Sequence, residues 1–194
     1  MILILLVALC LLSVPLSGGD LRRLGRLRVR WIWLGPAAVL VQTVLVTVAP
    51  GGSHAVHAAV HIGTYVLIAA FLWANRSLPG ALIISAGAAL NGLTILVNGG
   101  VMPAAATAER LAGLSLGHGF NNSAVVAHPH LLWFGDIIPV PWPLPNVLSV
   151  GDIIIYTGML VLLHRTTRRS SEETTRSGSA PASVIPDAAV ADGA

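Results

Sequence analysis

The sequence predicts an all-α membrane protein with five transmembrane helices, and three observations carry that prediction. Hydrophobic residues make up 55% of the 194-residue chain and charged residues only 10%, where soluble domains carry roughly a quarter. The apolar residues gather into five long runs. All 11 basic residues are arginine, and they sit in few places: Arg22, Arg23, Arg26, Arg28 and Arg30 after the first run, Arg76 after the third, and Arg165, Arg168, Arg169 and Arg176 after the last. The alternate segments hold only Arg110. Arginine beside a membrane segment is retained in the cytoplasm, so the expected topology is N-terminus outside, five crossings and C-terminus inside.

The first helix is expected over about residues 2–17, short against the roughly 20 residues that a bilayer asks for. An export signal is not expected there, because the positive charges follow the apolar stretch instead of preceding it. Cys10, the single cysteine, is preceded by Leu9 and has few residues upstream, which argues against lipoprotein processing. Gly18 and Gly19 end the run, and Asp20 caps an Arg- and Leu-alternating segment at the inner headgroup boundary. Trp31 and Trp33 suit the headgroup layer and open a second helix, about 31–49, with Pro36 in its first turns. A tight turn, Pro50 to Ser53, leads to a third helix at 54–74. Asn75, Arg76 and Ser77 make an equally short inner turn before Pro79 and Gly80 open the fourth helix, 80–98, whose Ala88 and Gly92, or Ser85 and Ala89, give a small-xxx-small contact for a neighbour.

Residues 101–149 differ in kind. Leu131, Leu132, Trp133, Phe134, Ile137, Ile138 and Trp142 are too apolar to stay solvated, so an ordered outer cap is expected. Thr107 should cap a short helix to Gly113. Prolines 139, 141, 143 and 145 exclude helix and favour extended chain. Ser149 and Asp152 make a capping-box-like start for the fifth helix, 150–164. Residues 1–166 thus form a transmembrane domain, and 167–194, rich in Ser, Thr, Ala and Pro, a disordered cytoplasmic tail.

Three constellations could carry chemistry. His54, His57 and His61, at i, i+3 and i+7, fall within roughly 60° of one helix face; they could ligate a metal or haem, with His128 or His130 completing the shell. The alternative is interfacial placement of the first two and a hydrogen bond from His61 to Gln42 or Asn91. Asn91, Thr94 and Asn98 form a second stripe, suited either to interhelical packing or to a polar conduit. Asp136 and Asp152 could form an acid/base pair or a cation site, or serve as turn and cap residues. There is no phosphate-binding glycine loop, G-x-G-x-x-G, H-E-x-x-H, C-x-x-C or G-x-S-x-G, so no catalytic residue is nominated and an enzymatic role has no residue set behind it. An isoelectric point near 10 could suggest nucleic acid, but arginines beside apolar helices fit anionic lipid headgroups, worth about 1 kcal/mol per charge.

The segments Asn98-Gly99-Gly100-Val101-Met102-Pro103, Gly135-Asp136-Ile137-Ile138-Pro139, Pro141-Trp142-Pro143, Pro145-Asn146 and Ser149-Val150-Gly151-Asp152 resemble small bacterial membrane proteins of domain of unknown function family 5317 (DUF). The likeness covers about Met1 to His164 and is sharpest from Gly135 to Asp152. It implies several helices in a bacterial cell membrane and brings no known activity, cofactor or substrate. The histidine triad is not among that family's marks.

The expectation that follows is a non-catalytic envelope protein. Its cap, through Trp133, Phe134, Asp136, Trp142, Asn146 and Asp152, binds a lipid, a lipid-linked precursor or a partner protein. The alternatives are an oligomeric conduit for a small solute or protons lined by Gln42, His61, Asn91, Thr94, Asn98 and Asp152, and a His-ligated redox protein. Membrane lipids are the expected partners, with Arg22, Arg23, Arg26, Arg28 and Arg30 at the headgroups; no cofactor is expected unless the histidines hold haem or metal.

Overall fold

The structure is a computed structural model that describes residues 2–48, 53–114 and 123–168; the side chains of 3, 42, 43, 45–48 and 54 also lie outside the description. The turn at Pro50, the side chains of Gln42 and His54, and the 169–194 tail therefore fall outside it.

Each of the five apolar runs forms a helix: α1 (Ile2–Leu16), α2 (Leu34–Val48), α3 (His54–Ala74), α4 (Ala81–Val97) and α6 (Val150–Thr167), with a short α5 (Ala106–Leu111) before the last. Among the described residues one helix, Ala55–Ala74 with a mean hydropathy of 1.8, is long and apolar enough to cross a membrane. Two expected starts shift. Trp31 takes a left-handed φ of 53° and its carbonyl accepts from Leu34 N, so a turn replaces the first residues expected of α2. α5 begins after Ala105, which makes no side-chain cap, so Thr107 lies inside the helix instead of capping it. α6 runs past His164, its last turn closed by Thr167 Oγ1 donating to Leu163 O at 2.7 Å.

The all-α expectation needs amending in the cap. There β1 (Met102–Pro103) pairs in parallel with β2 (Ser123–Ala124), and β3 (Asp136–Val140) pairs antiparallel with β4 (Asn146–Ser149). The prolines that bar a helix hold this chain extended, and extended chain leaves its peptide groups to be satisfied by pairing. Pro139 stands opposite Val147, and Asp136 opposite Ser149. A 3-10 turn, Leu132–Phe134, rests on α4 and α6.

The long helices pack in the order α1, α6, α4, α3, α2. Cys10 and Val14 of α1 meet Leu163 of α6, with Leu24, Tyr156 and Met159 around them. α4 and α6 lie closest, through glycines seven residues apart on each partner: Gly80 and Gly87 against Gly158 and Gly151. A Cβ on Gly87 would stand 2.5 Å from Gly151 O, and one on Gly158 2.7 Å from Ile84 N. The small residues Ala88 and Gly92, with Ser85 and Ala89, face α3: they line a groove between α3 and α4, with the Tyr65 ring against Gly92.

Hydrogen bonds bring alternate helix ends together. Arg30 N donates to Asn75 Oδ1 and Asn75 Nδ2 to Arg30 O, both at 2.8 Å, while Asp20 N donates to Thr167 O. Arg22, Arg23, Arg26, Arg28, Arg30, Arg76, Arg165 and Arg168 consequently share one end of the helix row, and the cap occupies the other.

Candidate functional site: the polar cluster and cap

The cap is anchored at the start of α6 by a ring of hydrogen bonds. Ser149 N donates to Asp152 Oδ2 at 2.9 Å and Asp152 N to Ser149 Oγ at 3.0 Å, the reciprocal capping box read from the sequence. α4 completes it: Asn91 Nδ2 donates to Asp152 Oδ1 at 2.9 Å, and Ser149 Oγ donates to Asn91 Oδ1 at 3.0 Å. Only a glycine at 151 lets the Asn91 amide come this near, since a Cβ there would collide with Asn91 Oδ1. Asn91 and Ser149 are buried, so truncating the amide strands a carboxylate oxygen and a hydroxyl. Asn91→Ala is expected to cost about 2–3 kcal/mol, read by denaturant unfolding in detergent; a change within error would mean water replaces the amide without loss.

The other members of the α4 stripe turn elsewhere. Thr94 Oγ1 donates to Leu90 O within its own helix. Asn98, the C-cap of α4, donates from Nδ2 to Thr94 O and His130 O, and accepts at Oδ1 from His130 N. The face of small and polar residues is thus a set of fastenings between α4, α6 and the cap.

His57 and His61 take separate partners. His57 is fully buried with Nδ1 3.1 Å from Ser53 O. His61, 5% exposed, meets Gly100 O at 2.7 Å through Nδ1, and because a carbonyl only accepts, that nitrogen carries the hydrogen. The expected partners Gln42 and Asn91 are therefore replaced by a backbone carbonyl: Gly100, at φ 93°, brings its chain against Ala58 of α3. Tyr65 lies one turn from His61, with ring centroids 5.6 Å apart; its i+4 spacing was the signal that sequence reasoning passed over. His128 and His130 are exposed. Among the described residues no three of His, Cys, Asp or Glu gather in a metal-holding group.

Asp136 lies where the cap segments meet. Its carbonyl accepts from Ala105 N at 2.9 Å, it pairs across the sheet with the α6 N-cap Ser149, and it is 8% exposed. Burial pushes its carboxyl up to about 7, opposed by a hydrogen bond from Ser123 and reinforced by the charges of Asp152 and Glu109. Asn146 Oδ1 accepts from Val147 N. Asp136, Asp152 and Asn146 are therefore committed within the cap. Its outward surface is aromatic instead: Trp133 and Trp142 are each 82% exposed, with Phe134 and Leu131 beside Trp133. At the opposite end, Arg76 donates to Trp73 O and stacks over the Trp73 ring at 4.6 Å, Asp20 caps the Leu21–Arg26 turn by accepting from Arg22 N, and Arg23 Nη1 donates to Arg168 O.

A mainly helical chain with a small two-sheet cap held by buried polar bonds is the class of protein that this arrangement defines. Residues 26–164 match the Family of unknown function (DUF5317), and the chain belongs to that family. An uncharacterized protein of Thermotoga maritima is 39% identical over 93 residues, which cover 47% of this chain and 54% of the relative; the chain thus spans about half the length of the curated relative it matches. No solved structure matches.

Proposed function

We propose that this protein is a multi-pass protein of the bacterial cell membrane, N-terminus outside, whose cap is a non-catalytic docking surface for a lipid, a lipid-linked envelope precursor or a partner protein. The observation that carries this reading is the pair Trp133 and Trp142, 82% exposed on a segment pinned to α4 and α6. Large rings held out on stiffened chain offer contact area at low entropic cost, and indole rings favour the headgroup layer. Grouping of the arginines at the far end supports the sidedness, and the length and apolarity of α3 support the membrane setting. α1, α2, α4 and α6, at 15 to 18 residues, would span only a thin hydrocarbon layer or need flanking residues to complete the crossing. A conduit draws less support, because the Asn91, Thr94 and Asn98 groups are turned to protein partners.

Two measurements test the reading. Trp133→Ala with Trp142→Ala should strip native lipid or partner from the gently purified protein while leaving its unfolding midpoint in place; undiminished co-purification would refute the docking role. In a Cys10→Ser background, an impermeant thiol reagent on intact cells should label Thr107→Cys and spare Gly25→Cys. The reverse pattern, or equal labelling, would overturn the sidedness.

A further inference from the structure

Where α1 and α6 end together they leave a pocket of about 460 Å3, with Ser17, Gly18 and Gly19 on one wall and His164, Arg165 and Arg168 on the other. Two helix C-termini converge here, and their carbonyls would ordinarily claim any nearby cation. In this protein several of those carbonyls have other donors. Gly19 N donates to Val14 O and Gly18 N to Pro15 O; Arg168 N donates to His164 O and Asp20 N to Thr167 O. Thr167 Oγ1 takes Leu163 O and Arg23 Nη1 takes Arg168 O. The His164 ring is clamped between Ser13 Oγ at 3.0 Å and Ser17 Oγ at 3.2 Å. Arg165 and Arg168 are exposed residues of the pocket lining, and among the described residues no carboxylate lines it. Asp20, just outside, is occupied by Arg22 N.

We infer that this pocket binds a phosphate ester, gripped by Arg165 and Arg168 with Arg23 alongside. Guanidinium forks match phosphate oxygens in pairs, which outweighs the weak opposition of two screened helix ends. The volume exceeds what a bare phosphate needs and falls within the roughly 300–1,000 Å3 range of small-molecule sites, so the ligand carries an organic portion as well. A phospholipid headgroup and a soluble phosphomonoester share this chemistry. The phosphate grip does not depend on the docking role of the outer cap, which lies at the other end of the helices.

The test uses the full chain in neutral detergent and in nanodiscs, with glycerol 3-phosphate, inorganic phosphate, and discs of phosphatidylcholine with or without phosphatidylglycerol as probes. Arg165→Gln with Arg168→Gln should weaken binding about tenfold or more, while Arg110→Gln, at the cap end, leaves it unchanged. Ser17→Trp keeps every arginine and fills the pocket, so it too should abolish binding, which separates a shaped site from a basic surface. Competition by glycerol 3-phosphate identifies a soluble ester; binding confined to phosphatidylglycerol discs identifies a headgroup; either outcome upholds the site. Equal binding by wild type and the double arginine variant, full binding by Ser17→Trp, or no response to any phosphate probe would overturn it.

Discussion

Valine at Gly87 or Gly151 is expected to lower stability by about 3 kcal/mol or more, the upper end of what overpacking costs, and to leave little folded protein at physiological temperature. At both positions the added atoms meet the partner helix's backbone, 2.5 Å away for Gly87 and 2.8 Å for Gly151, and backbone cannot rotate aside as a side-chain tip can. The Gly151 substitution also drives off the Asn91 amide, so it should be the worse of the two. Gly25→Ala, where nothing lies within 4 Å, is the matched control and should stay within about 0.5 kcal/mol of wild type. Unfolding by denaturant in a fixed detergent would measure all three. Equal midpoints for Gly87→Val and Gly25→Ala would mean that α4 and α6 are not in the close contact described.

The second large effect is a pH dependence confined to the cap. The Asp136 carboxyl, ordinarily at 3.8, is pushed up to about 7 by burial. Between those values the folded cap holds a proton that the unfolded chain has released, so stability falls as pH rises through that window and is constant on either side. About three units set a ceiling of roughly 4 kcal/mol. The cap should therefore be firmer at pH 5 than at pH 8, seen as slower amide exchange in β3 and β4 or slower proteolytic nicking there. Asp136→Asn, neutral throughout, should flatten the profile and protect the cap at pH 8 relative to wild type. Steeper protection at alkaline pH in the wild type would show that the carboxylate is stabilised there.

Long apolar runs and the residues that end them were the legible part of this chain. Ile2 to Leu16 could be bounded because Gly18 and Gly19 interrupt the run, and the Ser149–Asp152 box could be named because both partners are local in sequence. What could not be read is whatever depends on two distant segments meeting. The four glycines joining α4 to α6 are spaced by seven, which has meaning only once the two helices are known to be antiparallel neighbours; a four-residue small-residue pattern on α4 was the nearer signal and pointed to the α3 groove. His61 found a carbonyl at Gly100, and any carbonyl is invisible to a reading of side chains. Asp136 sat in a proline-rich stretch whose lack of periodicity gave no inward or outward sense, so its burial, and with it the parting of the cap's carboxylates from its exposed indoles, needed the sheet register to appear.

The order of helices in the row has a bearing on biosynthesis. α6 is made after α1 to α5, yet it sits between α1 and α4. Until it emerges, α1 lacks the helix against which it chiefly packs, and the nascent chain must keep a berth open for it. The strap of residues from Leu16 to Arg30 runs beneath that berth, tied at one side to Thr167 and at the other to Asn75, so the assembly closes only once α6 has been made.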